Sequence, residues 1–358
     1  MLATTQPQRP THDLASTRTL RLAAGIALAL VFSQAVNWPA SFITPVLVSV
    51  ILCLPLPAPT LKFTVSFLLV ICGSFLLGLW LLPMLHNQPA AGVLLISLCV
   101  FGCFYYGAKG GSPALTTFLL VGVTIVPVIG SESVDIAVAL TRGLIVGAII
   151  AFVFIALAFM LFPDPHQQAP KPAPRPAKPP PQSVIARNTL RSSAILLPAL
   201  YWLLMSSDTA GYAIVLIKIA TMGQQSSFED AQAAGRDLIA STLIGGAAAI
   251  LVWNILQIWP TLVIYGLLFA LCGLVIGQKV FSGDGLARNG SMWSYGLLTM
   301  MVIVAPAAVD SVSGDGASAR FADRITMFFL ATLYAVSALY LFEALWPSKT
   351  EENEELIA

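Results

Sequence analysis

Residues 143–162 read GLIVGAIIAFVFIALAFMLF, twenty positions in a row without a charged side chain. That is the length an α-helix needs to cross the roughly 30 Å hydrocarbon core of a bilayer. Similar runs recur along the whole chain. Of its 358 residues, 57% are hydrophobic and 10% charged, with a mean hydropathy of +0.85, far above a soluble globular domain. The chain is therefore expected to be an all-α integral membrane protein in contact with lipid. Its net charge of +1 gives no bias toward nucleic acid. Cys53, Cys72, Cys99, Cys103 and Cys272 lie in or beside apolar runs without metal-ligand spacing, and read as small packing residues.

Measured against a bilayer, the sequence predicts about twelve transmembrane helices. They fall near residues 20–37, 40–56, 63–83, 90–107, 113–130 and 139–162, then 189–206, 209–222, 237–257, 260–277, 292–309 and 325–346. With the N-terminus placed in the cytoplasm, the cations of both tails, of residues 171–191 and of Lys62, Lys109, Arg236, Lys279 and Arg288 all fall inside. Arg142, Arg320 and Arg324 fall outside. The asymmetry follows the positive-inside rule and predicts cytoplasmic N- and C-termini. The first apolar run could pass for a signal peptide, with Ser33 and Ala35 mimicking a cleavage site, but removing it would spoil both this pattern and the symmetry described next.

A cytoplasmic tail (1–19) precedes the first block of six spans (20–162). A Pro- and Lys-rich linker (163–188), too proline-dense for a helix, leads to the second block (189–347) and an acidic tail (348–358). The blocks resemble each other. TLR triplets at 19–21 and 189–191 open both first spans; Phe42 corresponds to Tyr212. Both fifth spans finish at a proline, Pro127 and Pro306. Both sixth spans begin near an outward arginine, Arg142 and Arg324, and end in an aromatic-Pro pair, Phe162-Pro163 and Trp346-Pro347. Six being even, the expected fold is two parallel-oriented six-helix repeats related by an axis along the membrane normal.

Short or interrupted spans at matching positions point to a transport pathway, because broken helices expose backbone groups that can line a polar cavity. The second span of each half is such a segment: 40–56 carries Pro45 and Pro55 and is flanked by Pro39 and Pro57, and 209–222 is barely long enough to cross. Within the latter, Gly211, Lys218, Thr221 and Gln225 share one helical face opposite Ile217 and Ile219. Two readings stand for Lys218: a cation in an aqueous cavity that attracts an organic anion, or a side chain that snorkels to the nearby surface. Val48 occupies the corresponding place in the first half, so a site built on Lys218 is asymmetric.

Other charges have plainer explanations beside the functional ones. Asp208 suits a helix N-cap. Glu343, near the inner boundary, reads as an interfacial carboxylate before a proton-coupling group. Arg142 and Arg324 lie near Asp135 and Asp323, so pairing is a simpler account than anion steering. Gly143-x-x-x-Gly147 and the GGAAA at 245–249 suit close helix packing. Trp38, Trp80, Trp253, Trp259, Trp293 and Trp346 suit an interfacial belt. Phe101, Phe104, Tyr105 and Tyr106 could stack on an aromatic ligand, though lipid-facing aromatics are commoner. His12, His86 and His166 fall in tail, loop and linker. Without a P-loop, HExxH or GxSxG motif, the chain is expected to be no enzyme and to need no cofactor or metal.

The opening TLRLAAGIALAL with WPASFITPVLVSVIL at 38–52, and GRDLIASTLIGGAAA at 235–249, resemble the fusaric-acid-resistance superfamily, and its small branch of aromatic-acid-exporter-like inner-membrane proteins (the DUF2955 type). In that family an arginine followed by small residues opens the third span; Arg236 with Gly245 and Gly246 matches, against Lys62 and Gly73 in the first half. The linker is much shorter than the cytoplasmic domain of larger members. The resemblance implies an exporter in the bacterial inner membrane for aromatic carboxylic acids or similar toxic organic anions, driven by the proton gradient. It also implies a periplasmic membrane-fusion-type adaptor and an outer-membrane channel as partners; a homo-oligomer is compatible with it. A passive anion channel, or a non-transporting membrane subunit of an envelope assembly, are the alternatives.

Overall fold

The apolar runs fold as α-helices, which satisfy their backbone polar groups internally where no water is present to do so. The computed structural model of the protein describes residues 12–38, 41–164, 181–206, 216, 219–220, 231–282, 285–312 and 317–346. Within these the helices are α1 (His12–Val36), α2 (Ile43–Leu52), α3 (Leu61–Asn87), α4 (Pro89–Ala108), α5 (Pro113–Glu132), α6 (Val134–Leu161) and α7 (Gln182–Met205). They are followed by α8 (Ala231–Ile258), α9 (Leu262–Val280), α10 (Gly290–Val312) and α11 (Ala317–Leu345). A two-residue hairpin, β1 (Phe281–Ser282) with β2 (Gly285–Leu286), links α9 to α10.

Nine of these helices are long and apolar enough to cross a bilayer, so the protein is an all-α, multi-pass membrane protein. Of the other three expected spans, α2 has ten residues and α7 is diluted by its polar first half, QSVIARNTLRSS. Most of 209–222 lies outside the described residues; its described members, Leu216, Ile219 and Ala220, are helical and buried. The surface pattern agrees with a lipid environment. On α9, Val263, Leu267, Leu271 and Val275 form an exposed apolar stripe, while Tyr265, Gly266, Phe269, Gly273 and Ile276 are buried. In water such a stripe would be an aggregation surface; against acyl chains it costs nothing.

Three boundaries differ from the sequence expectation. Helix α7 starts at Gln182, so residues expected in the linker already form its first turns, beginning after Pro181. His86 sits in the last turn of α3, with its Nδ1–H donating to the Leu82 carbonyl, and not in a loop. Pro127 and Pro306 do not finish their helices: α5 continues to Glu132 and α10 to Val312. A proline deletes one intrahelical hydrogen bond, and the flanking residues Val126, Val128, Ala305 and Ala307 are packed too tightly for the chain to leave the helical path. Pro45, in contrast, sits in the first turn of α2, where its missing N–H has no intrahelical partner to lose.

The chain divides into two compact units, each drawing on both sequence halves. The first comprises Met1–Val65, Val146–Arg175 and Ile244–Gly314. In it α1 packs along α9 and α2, and α10 packs on α9 and α2. Small residues allow the closest approaches: a side chain on Gly273 would meet the Ala23 backbone, and one on Gly245 the Gly296 carbonyl. The second unit comprises Ser66–Ile145, Pro176–Leu243 and Asp315–Ala358. Here α5 is buried almost throughout and packs with α4 and α7, while α7 also packs on α4 and α11. Gly78 on α3 lies against Gly122 on α5, and Ser74 donates to the Leu119 carbonyl at 2.8 Å across the same crossing.

Candidate functional site

Arginine is the costliest kind of residue to bury in an apolar helix bundle, so the partners of each buried guanidinium are informative. In the first unit, Arg21 on α1 is 2% exposed. Its Nε and Nη2 both donate to the Phe162 carbonyl, at 3.1 and 2.7 Å, and Nη2 also meets Asp164 Oδ1 at 2.6 Å. The guanidinium carbon lies 3.8 Å from the centroid of the Phe159 ring. The frayed end of α6 offers carbonyls without intrahelical partners, and Arg21 takes one of them. Its charge is matched, its Nε and Nη2 are engaged and its face is covered.

The second unit has a cluster of the same type built from α7 and α11. Arg187 Nη2 donates to Glu343 Oε1 at 2.6 Å and to the Trp346 carbonyl at 2.8 Å. Arg191, one turn further on, meets Glu343 Oε2 at 3.5 Å. Thus each TLR triplet belongs to a helix whose arginines hold the carbonyl of the aromatic residue at the end of a later helix, Phe162 in one case and Trp346 in the other. The hydroxyls of Thr19 and Thr189 also make the same backward bond, to the Ala15 and Ile185 carbonyls. Glu343 is therefore an ion-pair partner of two arginines.

A cavity of about 660 Å³ opens in the second unit where α3 ends and α4 begins. Leu85, His86, Val93, Ser131, Tyr201 and Leu204 contribute to its walls. Its volume lies in the range of small-molecule sites. Because Nδ1 of His86 donates to a carbonyl, Nε2 faces outward from that bond as an acceptor in the neutral ring. Tyr201 and Ser97 share a 2.7 Å hydrogen bond, and since the Ser97 hydroxyl proton goes to the Val93 carbonyl, Tyr201 is the donor. Neither His86 nor Tyr201 stood out in the sequence. An aromatic or a lone histidine near a helix end carries no local signal of the cavity it will line.

Of the residues singled out by sequence, Gly211, Lys218, Thr221, Gln225 and Asp208 lie outside the described residues. Pro45 is buried in α2, beside Thr44, whose hydroxyl donates to the Gly147 carbonyl of α6 at 3.0 Å. Arg236 is exposed on α8 and engaged in an interaction. Arg324 is half-buried on α11 and likewise engaged. Arg142 is exposed on α6 and makes no ion pair with Asp135. Seven residues of helix separate the two by about 10 Å, which corrects the expected pairing. Phe104 is buried and Tyr106 exposed. Among the described residues no group of three or more His, Cys, Asp or Glu side chains could hold a metal ion.

Residues 18–158, less than half of the chain, match a family model described as a protein of unknown function (DUF2955). No curated protein and no solved structure matches the chain. The matched segment begins at Arg18 and runs to the last turn of α6, and so spans Arg21 and Phe42 but stops before Phe162 and Asp164.

Proposed function

We propose that the protein is a secondary exporter of aromatic carboxylic acids or similar toxic organic anions in the bacterial inner membrane, coupled to the proton gradient. The observation that carries this reading is the pair of buried arginine clusters, Arg21 with Phe162 and Asp164, and Arg187 and Arg191 with Trp346 and Glu343. Each joins the helix that carries a TLR triplet to the aromatic residue closing a later helix. Such matching supports a duplicated six-plus-six architecture, the plan of many secondary transporters, with both termini in the cytoplasm. Ionisable groups kept inside apolar helices, even when paired, are costly enough that they often mark substrate or ion pathways. The apolar cavity with His86, Ser131 and Tyr201 at its edge suits an aromatic ring bearing one polar group.

On this reading the chain belongs with the fusaric-acid-resistance superfamily, carries no enzymatic activity, and delivers substrate to a periplasmic adaptor and outer-membrane channel. Lys218, with Thr221 and Gln225, would add a further cation to the anion path. The test is efflux of labelled aromatic acids from cells expressing the protein or Lys218→Met at matched abundance, with and without a protonophore. Export above empty cells that collapses with the protonophore is the expected result. Export that survives the protonophore makes the protein a passive anion channel, and export no greater than empty cells defeats the transport reading.

A further inference from the structure

The two arginine clusters differ in one respect. Arg21 has Nε and Nη2 engaged and a carboxylate of its own, whereas Arg191 bonds through one nitrogen to a carboxylate it shares. Arg191 is 4% exposed, and a guanidinium carries five N–H donors. Among the described residues its one hydrogen bond is the 3.5 Å contact to Glu343 Oε2, and its Nε is buried without a partner. Arg187 holds the same carboxylate at 2.6 Å and also has an unpartnered Nε. Two guanidinium groups thus share the Glu343 carboxylate, with donors to spare on the more deeply buried one. A buried cation with unused donors is a large desolvation cost, and a bidentate carboxylate is the group whose geometry fits them.

We propose that Arg191 is the carboxylate-binding residue of the second unit and that Glu343 is a built-in competitor, occupying Arg191 weakly until the carboxylate of a small organic acid displaces it. The proposal rests on the transport reading above and names the residue at which the anion is recognised. The geometry carries it: Glu343 stays tethered by Arg187, so it can yield Arg191 without being released into an apolar surrounding. The 3.5 Å contact is long for a charge-assisted hydrogen bond, so little is lost when Glu343 turns away. The incoming group is a monocarboxylate because it replaces a carboxylate against a planar fork.

The test uses the full chain in phosphatidylcholine nanodiscs, with labelled benzoate in equilibrium dialysis. Glu343→Gln removes the competitor and is expected to tighten benzoate binding about tenfold or more, the worth of one charge-assisted hydrogen bond. Arg191→Gln is expected to weaken it by at least as much, with Arg191→Lys intermediate, since an ammonium keeps the charge and loses the fork. The gain in Glu343→Gln cannot come from misfolding, so it protects the test against a simple loss of structure. Benzoate binding unchanged in both Glu343→Gln and Arg191→Gln overturns the proposal, as does binding that phosphatidylglycerol in the disc abolishes, which would assign the site to a lipid headgroup. Export of labelled benzoate from cells separates the two levels. Wild-type export that ignores both substitutions defeats this proposal and leaves the transport reading standing, whereas Arg191-dependent binding without any export does the reverse.

Discussion

At the scale of single residues, the chain shows that where a charge is buried matters less than what faces it. Arg21 and Arg191 hold the third position of the same triplet, yet one sits against a carbonyl, a carboxylate and an aromatic ring, and the other against half a carboxylate. Removing a paired buried cation orphans its partners, so Arg21→Gln is expected to cost about 3 kcal/mol of stability, toward the low end for a broken buried pair because Asp164 keeps some contact with solvent. Thermal unfolding in detergent checks it. Arg142→Gln, at an exposed side chain without an ion pair to Asp135, should leave the same melting curve within error. Tyr201→Phe removes one hydroxyl that bonds Ser97 across the α4–α7 contact, and the same assay should register a loss of about 1 kcal/mol. None of these pairings could be read from the sequence: Arg21 and Phe162 are 141 positions apart, and a charge pattern along a helix does not name its distant partner.

The elements themselves were legible, because hydrophobic length is a local property. The expected and observed helices agree wherever an apolar run exceeds what a bilayer needs, and the disagreements have identifiable causes. Prolines read as helix ends at 127 and 306 proved to lie inside α5 and α10, since burial on all sides can hold a helix together across a missing hydrogen bond. The start of α7, residues 182–188, read as linker because it is polar and follows a proline-rich stretch; in the structure its Arg187 finds Glu343 on α11. The α3–α5 crossing was not foreseen at all. Gly78 and Gly122 are unremarkable in sequence, yet a side chain on either would meet the other helix's backbone. Gly122→Val should therefore force α3 and α5 apart, at a cost of roughly 1–3 kcal/mol typical of overpacking, and lower the yield of folded protein in size-exclusion chromatography. A similar volume added at Gly102, where nothing lies within 4 Å, should be tolerated.

For the whole molecule the topology turns on α2. Ten helical residues rise about 15 Å, half of the hydrocarbon core, so whether the chain crosses the membrane between α1 and α3 depends on the residues flanking α2 as well as on the helix. The proposed topology requires that crossing. With it, a cysteine placed at Gln88, between α3 and α4, reacts with a membrane-impermeant maleimide in intact cells, and one at Gly110, between α4 and α5, reacts only after permeabilisation. The two positions exchange behaviour if α2 dips in and returns to the same side. Both are exposed, so labelling in a background lacking the five native cysteines reports sidedness directly.

By itself the sequence determined that this chain is an all-α protein of a bilayer and where most of its long apolar helices run, since both depend on composition and spacing along the chain. Only the tertiary structure decided which helices meet, that Glu343 serves two arginines while Arg21 has a carboxylate of its own, and that His86 and Tyr201 border a cavity. The physical reason is that in lipid the hydrophobic effect places a helix in the membrane without choosing its neighbours. That choice falls to close packing at small residues and to long-range polar contacts, and neither leaves a periodic trace in the sequence.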